Sequence, residues 1–142
     1  MSQISRDALK DWKVLLVDDE PDSLEVAGWV LKYYGATLYT ATNGLEALDV
    51  LRTITPTLII SDISMPEMDG WGLIAHIKND RRTMDIPCIA LTAHAMVGDR
   101  ERAIASGFHN YLTKPLTPAT FMHDLMNLLV NIPHLKAMWV KA

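Results

Sequence analysis

One cysteine in 142 residues leaves no partner for a disulfide. Cys88 also sits inside an apolar run, where a thiol is usually plain packing. No apolar stretch approaches the roughly 18 residues needed to cross a bilayer. The N-terminal MSQISRDALKD lacks the apolar core of a signal peptide. Net charge is −4 and no basic stripe appears, so nucleic acid is not expected as a direct partner. His76, His109, His123 and His134 are scattered without metal-ligand spacing. Repeats and low-complexity tracts are absent. These absences suggest a reducing, cytoplasmic setting without membrane insertion. What is present is a 49% apolar composition, enough for one domain with a full core.

The apolar residues fall in short runs that alternate with helical patterns. Strands are expected near Lys13–Val17, Thr37–Thr40, Leu58–Ser61, Ile86–Leu91 and Asn110–Leu112. Helices are expected near Ser23–Tyr34, after Asn43-Gly44, near Trp71–Asn79, near Gly98–Ser106 and near Pro118–Val130. Five βα units with right-handed crossovers make an α/β sandwich with a doubly wound, five-stranded parallel sheet and five flanking helices. The expected order is 2-1-3-4-5, the flavodoxin-like order, adopted as a known solution for such sheets rather than dictated by these residues. Residues 1–11 read as an N-terminal leader, 12–132 as the domain and 133–142 as a C-terminal tail.

Four of the runs end, on their C-terminal side, in polar groups. The first ends in Asp18 and Asp19, the third in Asp62, the fourth in Thr92 and the fifth in Lys114. Parallel strands put all four ends on one edge, where ligands of open α/β sheets bind. Three carboxylates in one crevice repel one another. A hard cation such as Mg²⁺ removes that cost. Alone, each residue has an ordinary explanation: a helix cap, a turn residue, a loop hydroxyl or a surface charge. Their joint occurrence at four strand ends does not.

The segments VLLVDDEP (14–21), LIISDISMPEMDG (58–70), IALTA (89–93) and YLTKP (111–115) resemble the receiver domains of two-component response regulators. The resemblance spans roughly Lys13 to Val130, and no core position departs from the pattern. It implies a phosphoacceptor module rather than an enzyme acting on an external substrate. Asp62 would accept a phosphoryl group from a sensor histidine kinase or a histidine phosphotransfer protein. Asp19 and Asp62 would ligate Mg²⁺, Asp18 would act mainly through water, and the backbone carbonyl of Ser64 would complete the protein ligands. Thr92 and Lys114 would hold phosphoryl oxygens, Tyr111 would be the switch aromatic, and the Lys114–Pro115 bond would be cis. Ser64, Ala93 and His94 would tune the lifetime of the phosphorylated state.

Only about one helix of chain follows Lys114, so output is expected from the receiver's own surface, acting on a downstream target. On helix 5, Phe121, Leu125, Leu128 and Ile132 form one apolar stripe. Met122, Met126, Leu129 and Pro133 form a second, open to two readings: wide core burial, or a partner or homodimer face with helix 4 and strand 5. Leu135, Met138 and Trp139 could fold back or reach a partner. Arg100, Glu101 and Arg102 read as a solvated face. LTAHAM and GDRERAIASG look similar to receivers of hybrid histidine kinases, so such a module is an alternative, as is a phosphorylation-independent dimerisation or scaffold unit. An aspartyl phosphatase would want a second acid where Ser64 stands.

Overall fold

The computed structural model describes residues 4–93, 99–130, 132 and 135. His94, Pro133, His134, Met138 and Trp139 lie outside the described residues. The elements run β1 (Lys13–Val17), α1 (Pro21–Tyr33), β2 (Thr37–Ala41), α2 (Gly44–Leu51), β3 (Leu58–Asp62), α3 (Gly70–Lys78), β4 (Cys88–Thr92), α4 (Asp99–Ser106), β5 (Asn110–Thr113) and α5 (Pro118–Leu129). All four strand pairings are parallel, and the order is β2-β1-β3-β4-β5, as expected.

Local chemistry sets the boundaries. Pro21 opens α1, where its missing N–H is not needed. Asn43 caps α2 by accepting the Glu46 N–H at 2.9 Å, and Glu46 reaches back to the Thr42 N–H at 2.9 Å. Asp69 caps α3 through the Gly72 N–H at 2.9 Å. β4 begins at Cys88 rather than at Ile86. Pro87 has no N–H for the ladder, and only its carbonyl pairs, with the Ile59 N–H.

Alternating strand residues feed two cores, one on each face of the sheet. Val14, Leu16, Leu58, Ile60, Ile89 and Leu91 face the α1 and α5 side. Leu15, Val17, Ile59, Cys88 and Ala90 face the side of α2, α3 and α4. Burial pushes the Cys88 thiol up to about 12, so it behaves as a packing group.

One expectation changes, and one open alternative resolves. Part of the segment expected as a leader packs into the body. Ala8 and Leu9 are buried with Trp12 in the α1/α5 core, and the Leu9 N–H donates to the Tyr34 carbonyl at 2.9 Å. The turn over residues 6–11 has no strand or helix period, which hid this role in the sequence. The second stripe of α5 is core: Met122, Met126 and Leu129 are buried in that same cluster, with Ile132 and Leu135. Replacing Leu9 with Ala should lower unfolding free energy by about 2–4 kcal/mol, read by urea denaturation. A change near zero would mean that residues 6–11 do not belong to the folded unit.

Candidate functional site

The C-terminal ends of β1, β3 and β5 converge on one ammonium. Lys114 Nζ lies 2.9 Å from Asp18 Oδ2, 3.1 Å from Asp62 Oδ2 and 2.5 Å from Glu20 Oε1. Sheet register puts it there. The Lys114 N–H donates to the Thr92 carbonyl at 2.8 Å, and the Ile63 N–H donates to the Leu91 carbonyl, so β5, β4 and β3 end side by side. The Lys114–Pro115 bond is cis. Asp18 is fully buried and Asp62 nearly so, whereas the Glu20 side chain is 59% exposed.

Each buried acid has one oxygen fixed by backbone. Asp18 Oδ1 accepts the Glu20 N–H at 2.9 Å, and Asp62 Oδ1 accepts the Ile63 N–H at 2.8 Å. Asp18 Oδ2 accepts no hydrogen bond among the described residues, although the ammonium is near. Burial pushes the Asp62 carboxyl up to about 6, and the charge of Asp18 adds to this. Lys114 and the Ile63 N–H pull it partly back. Burial works against a charged Lys114, but its bonds to Glu20 and Asp18 and the nearby Asp62 charge outweigh that and raise its pKa.

Three carboxylates against one ammonium leave the crevice short of positive charge. Oxygen ligands of Asp18, Glu20 and Asp62 lie within 4.8 Å of one another, so they could hold one cation. Fully buried Asp18 Oδ2, which accepts no hydrogen bond among the described residues and has only the Lys114 ammonium as an ion-pair partner, is the atom such a cation would engage. An all-oxygen donor set of this kind suits a hard divalent ion.

The structure thus brings together Asp18, Asp62 and Lys114 from the expected residues. Asp19 is exposed and outside the group, and Glu20 stands in it. Glu20 was missed, although the run of three consecutive acids was visible. Thr92 is half-buried at the β4 end and Ser64 is exposed in the following loop, as is Ala93 beyond β4. Tyr111, half-buried on β5, packs against the α2–α4 core. Arg102 is not merely solvated: its guanidinium lies 4.0 Å above the Trp71 ring, which meets Phe108 edge-on at 6.2 Å. Gly70 is required by close approach. A Cβ there would lie 2.5 Å from the Asp62 carbonyl oxygen and 2.9 Å from Ile63 Cα.

A doubly wound sheet with a buried acid pair and a lysine at its carboxyl edge defines a class of small α/β module with one charged crevice. The chain belongs to the response regulator receiver domain family, whose model matches residues 14–126. It is 34% identical over 116 residues to the polar-differentiation response regulator DivK of Brucella anthropi, covering 82% of this chain and 94% of that protein. The chemotaxis response regulator CheY4 of Vibrio cholerae has a similar structure, with a TM-score of 0.78 and 29% identity over 83% of this chain and 98% of that one. The receiver domain of the sensor histidine kinase PA1611 of Pseudomonas aeruginosa, solved with magnesium in its active-site cleft, matches with a TM-score of 0.74 and 28% identity, over 84% of this chain and 98% of that one. Receivers are signalling proteins that work with histidine kinases and downstream targets. Among the described residues no helix is long and apolar enough to cross a membrane.

The raised Asp62 pKa makes a signed prediction. Folding favours protonated Asp62, so its ionisation costs stability as pH rises from about 4 through 6. Without divalent cation, Asp62→Asn should therefore exceed wild type in unfolding free energy by about 1–3 kcal/mol at pH 7.5. That gap should close as pH falls towards 4, a trend that denaturant melts across the range would read.

Proposed function

We propose that this chain is the phosphoacceptor of a two-component phosphorelay, with Asp62 as the phosphorylated residue. The observation that carries this reading is Asp62 paired with Lys114 beside buried Asp18 at the carboxyl edge of the sheet. The donor is a phosphohistidine on a sensor histidine kinase or a histidine phosphotransfer protein. An Asp62 carboxylate oxygen forms a bond to phosphorus, the donor's phosphorus–nitrogen bond breaks, and the histidine leaves as imidazole. At neutral pH Asp62, with its pKa near 6, is largely ionised and ready to attack.

Asp62, Asp18, Asp19 and the Ser64 carbonyl would hold Mg²⁺, with Glu20 an added candidate. Bound Mg²⁺ supplies positive charge against the phosphoryl oxygens. Lys114 supplies more positive charge in the same crevice. Thr92 takes a phosphoryl oxygen, and Tyr111 then repacks on the face of α4, β5 and α5, favouring one of two pre-existing states. Ser64, Ala93 and His94 tune dephosphorylation. The chain catalyses only its own phosphorylation and slow hydrolysis. The switched face meets a downstream target. Any homodimer through it draws on exposed Ile104 rather than on α5's buried methionines. A kinase-fed relay and one inert thiol fit a cytoplasmic setting.

Intact-protein mass after incubation with acetyl phosphate tests the reading. A single phosphoryl adduct should form on wild type with Mg²⁺. It should be lost with chelator or in Asp62→Asn, and should form more slowly, by about tenfold or more, in Lys114→Ala. No adduct on folded wild type would move the assignment to a phosphorylation-independent scaffold.

A further inference from the structure

The sheet edge opposite Asp62 carries a second concentration of charge. The residues just before β3, β4 and β5 border a cavity of about 720 Å³. Lys78, Arg81 and Arg82 give it three cations, against Asp85 as the one acid on its wall. Arg81 and Arg82 are exposed, and among the described residues neither has an ion-pair partner. Met84, 43% exposed, presents an apolar surface beside the charges.

The loop presenting these groups is internally fixed. Buried Thr83 donates its hydroxyl to the Ile77 carbonyl at 2.8 Å. The Arg82 N–H donates to Asp80 Oδ1 at 2.9 Å, and the Met84 N–H to the Asp80 carbonyl at 2.8 Å. Lys78 Nζ donates to the Met84 carbonyl at 2.9 Å, tying the loop to the end of α3. Arg81 and Arg82 are therefore held on an ordered frame, with their own donors uncommitted to carboxylates.

We propose that this cleft binds a phosphorylated ligand of nucleotide size, with Arg81 and Arg82 on its phosphates and Met84 against its ring. Guanidinium forks match phosphate oxygens in pairs. A lone phosphate would leave most of the volume unfilled, while ligand sites for larger molecules span about 300–1,000 Å³. The site is separate from Asp62 and does not depend on phosphorylation there.

Calorimetric titration of the full chain with ADP, adenosine and inorganic phosphate tests this, with chelator present to silence the Asp62 crevice. ADP should bind saturably, and adenosine and phosphate each more weakly by about tenfold or more. Arg81→Ala/Arg82→Ala should weaken ADP by about tenfold or more, and Asp62→Asn should leave it unchanged. Both arginines are exposed, so folding should survive. Met84→Glu, placed in the ring contact, provides a second variant that should also weaken ADP. Absence of saturable ADP binding at millimolar concentration, or binding indifferent to the arginine pair, would overturn the proposal. Phosphate binding as tightly as ADP would overturn its nucleotide part.

Discussion

The meeting of one ammonium with three carboxylates organises this molecule. Lys114 comes from the last strand and its partners from the first and third, so the contact exists only when the whole sheet is assembled in order. The balance is deliberately uneven in charge. Lys114 cannot neutralise Asp18, Glu20 and Asp62 together, and Asp18 Oδ2 shares that one ammonium without a hydrogen bond of its own among the described residues. A structural ion pair would have closed that gap with hydrogen bonds. An open electrostatic deficit is what a site needs if it is to take up a cation and then a dianionic group.

The surrounding fold holds the deficit in place. Backbone N–H groups of Glu20 and Ile63 fix one oxygen on each buried acid. Two cores, one per face, grip the strands that carry them. The N-terminal turn joins the α1/α5 core, so the frame behind Asp18 begins earlier in the chain than β1.

The strand ends were legible because short apolar runs followed by polar groups state both the strand and its edge. The approach of Glu20 to the buried acids was not. Past Val17 the chain leaves extended geometry, and the Asp18 side chain accepts the Glu20 N–H in a tight turn, so the alternation that assigns faces along a strand no longer applies. The second stripe on α5 was visible as a stripe, but helical periodicity counts faces without naming what covers them. Its cover includes Leu9 and Trp12 from a turn with no period of its own. Arg102 illustrates the same limit. A charge on a polar helix reads as solvated, and only tertiary structure sets Trp71 beneath it.

Gly70 has a mechanical consequence. With no room for a β-carbon between it and the Asp62 carbonyl, the first residue of α3 rests directly on the backbone of the acid. Helix and acid therefore form a lever with almost no slack. A load that shifts the start of α3 is delivered to Asp62, and a change at Asp62 is felt along α3 as far as the Trp71–Arg102 contact with α4. Thermodynamic reciprocity makes the traffic equal in both directions. A ligand that grips this helix and a ligand that binds at Asp62 would change one another's binding free energy by the same amount.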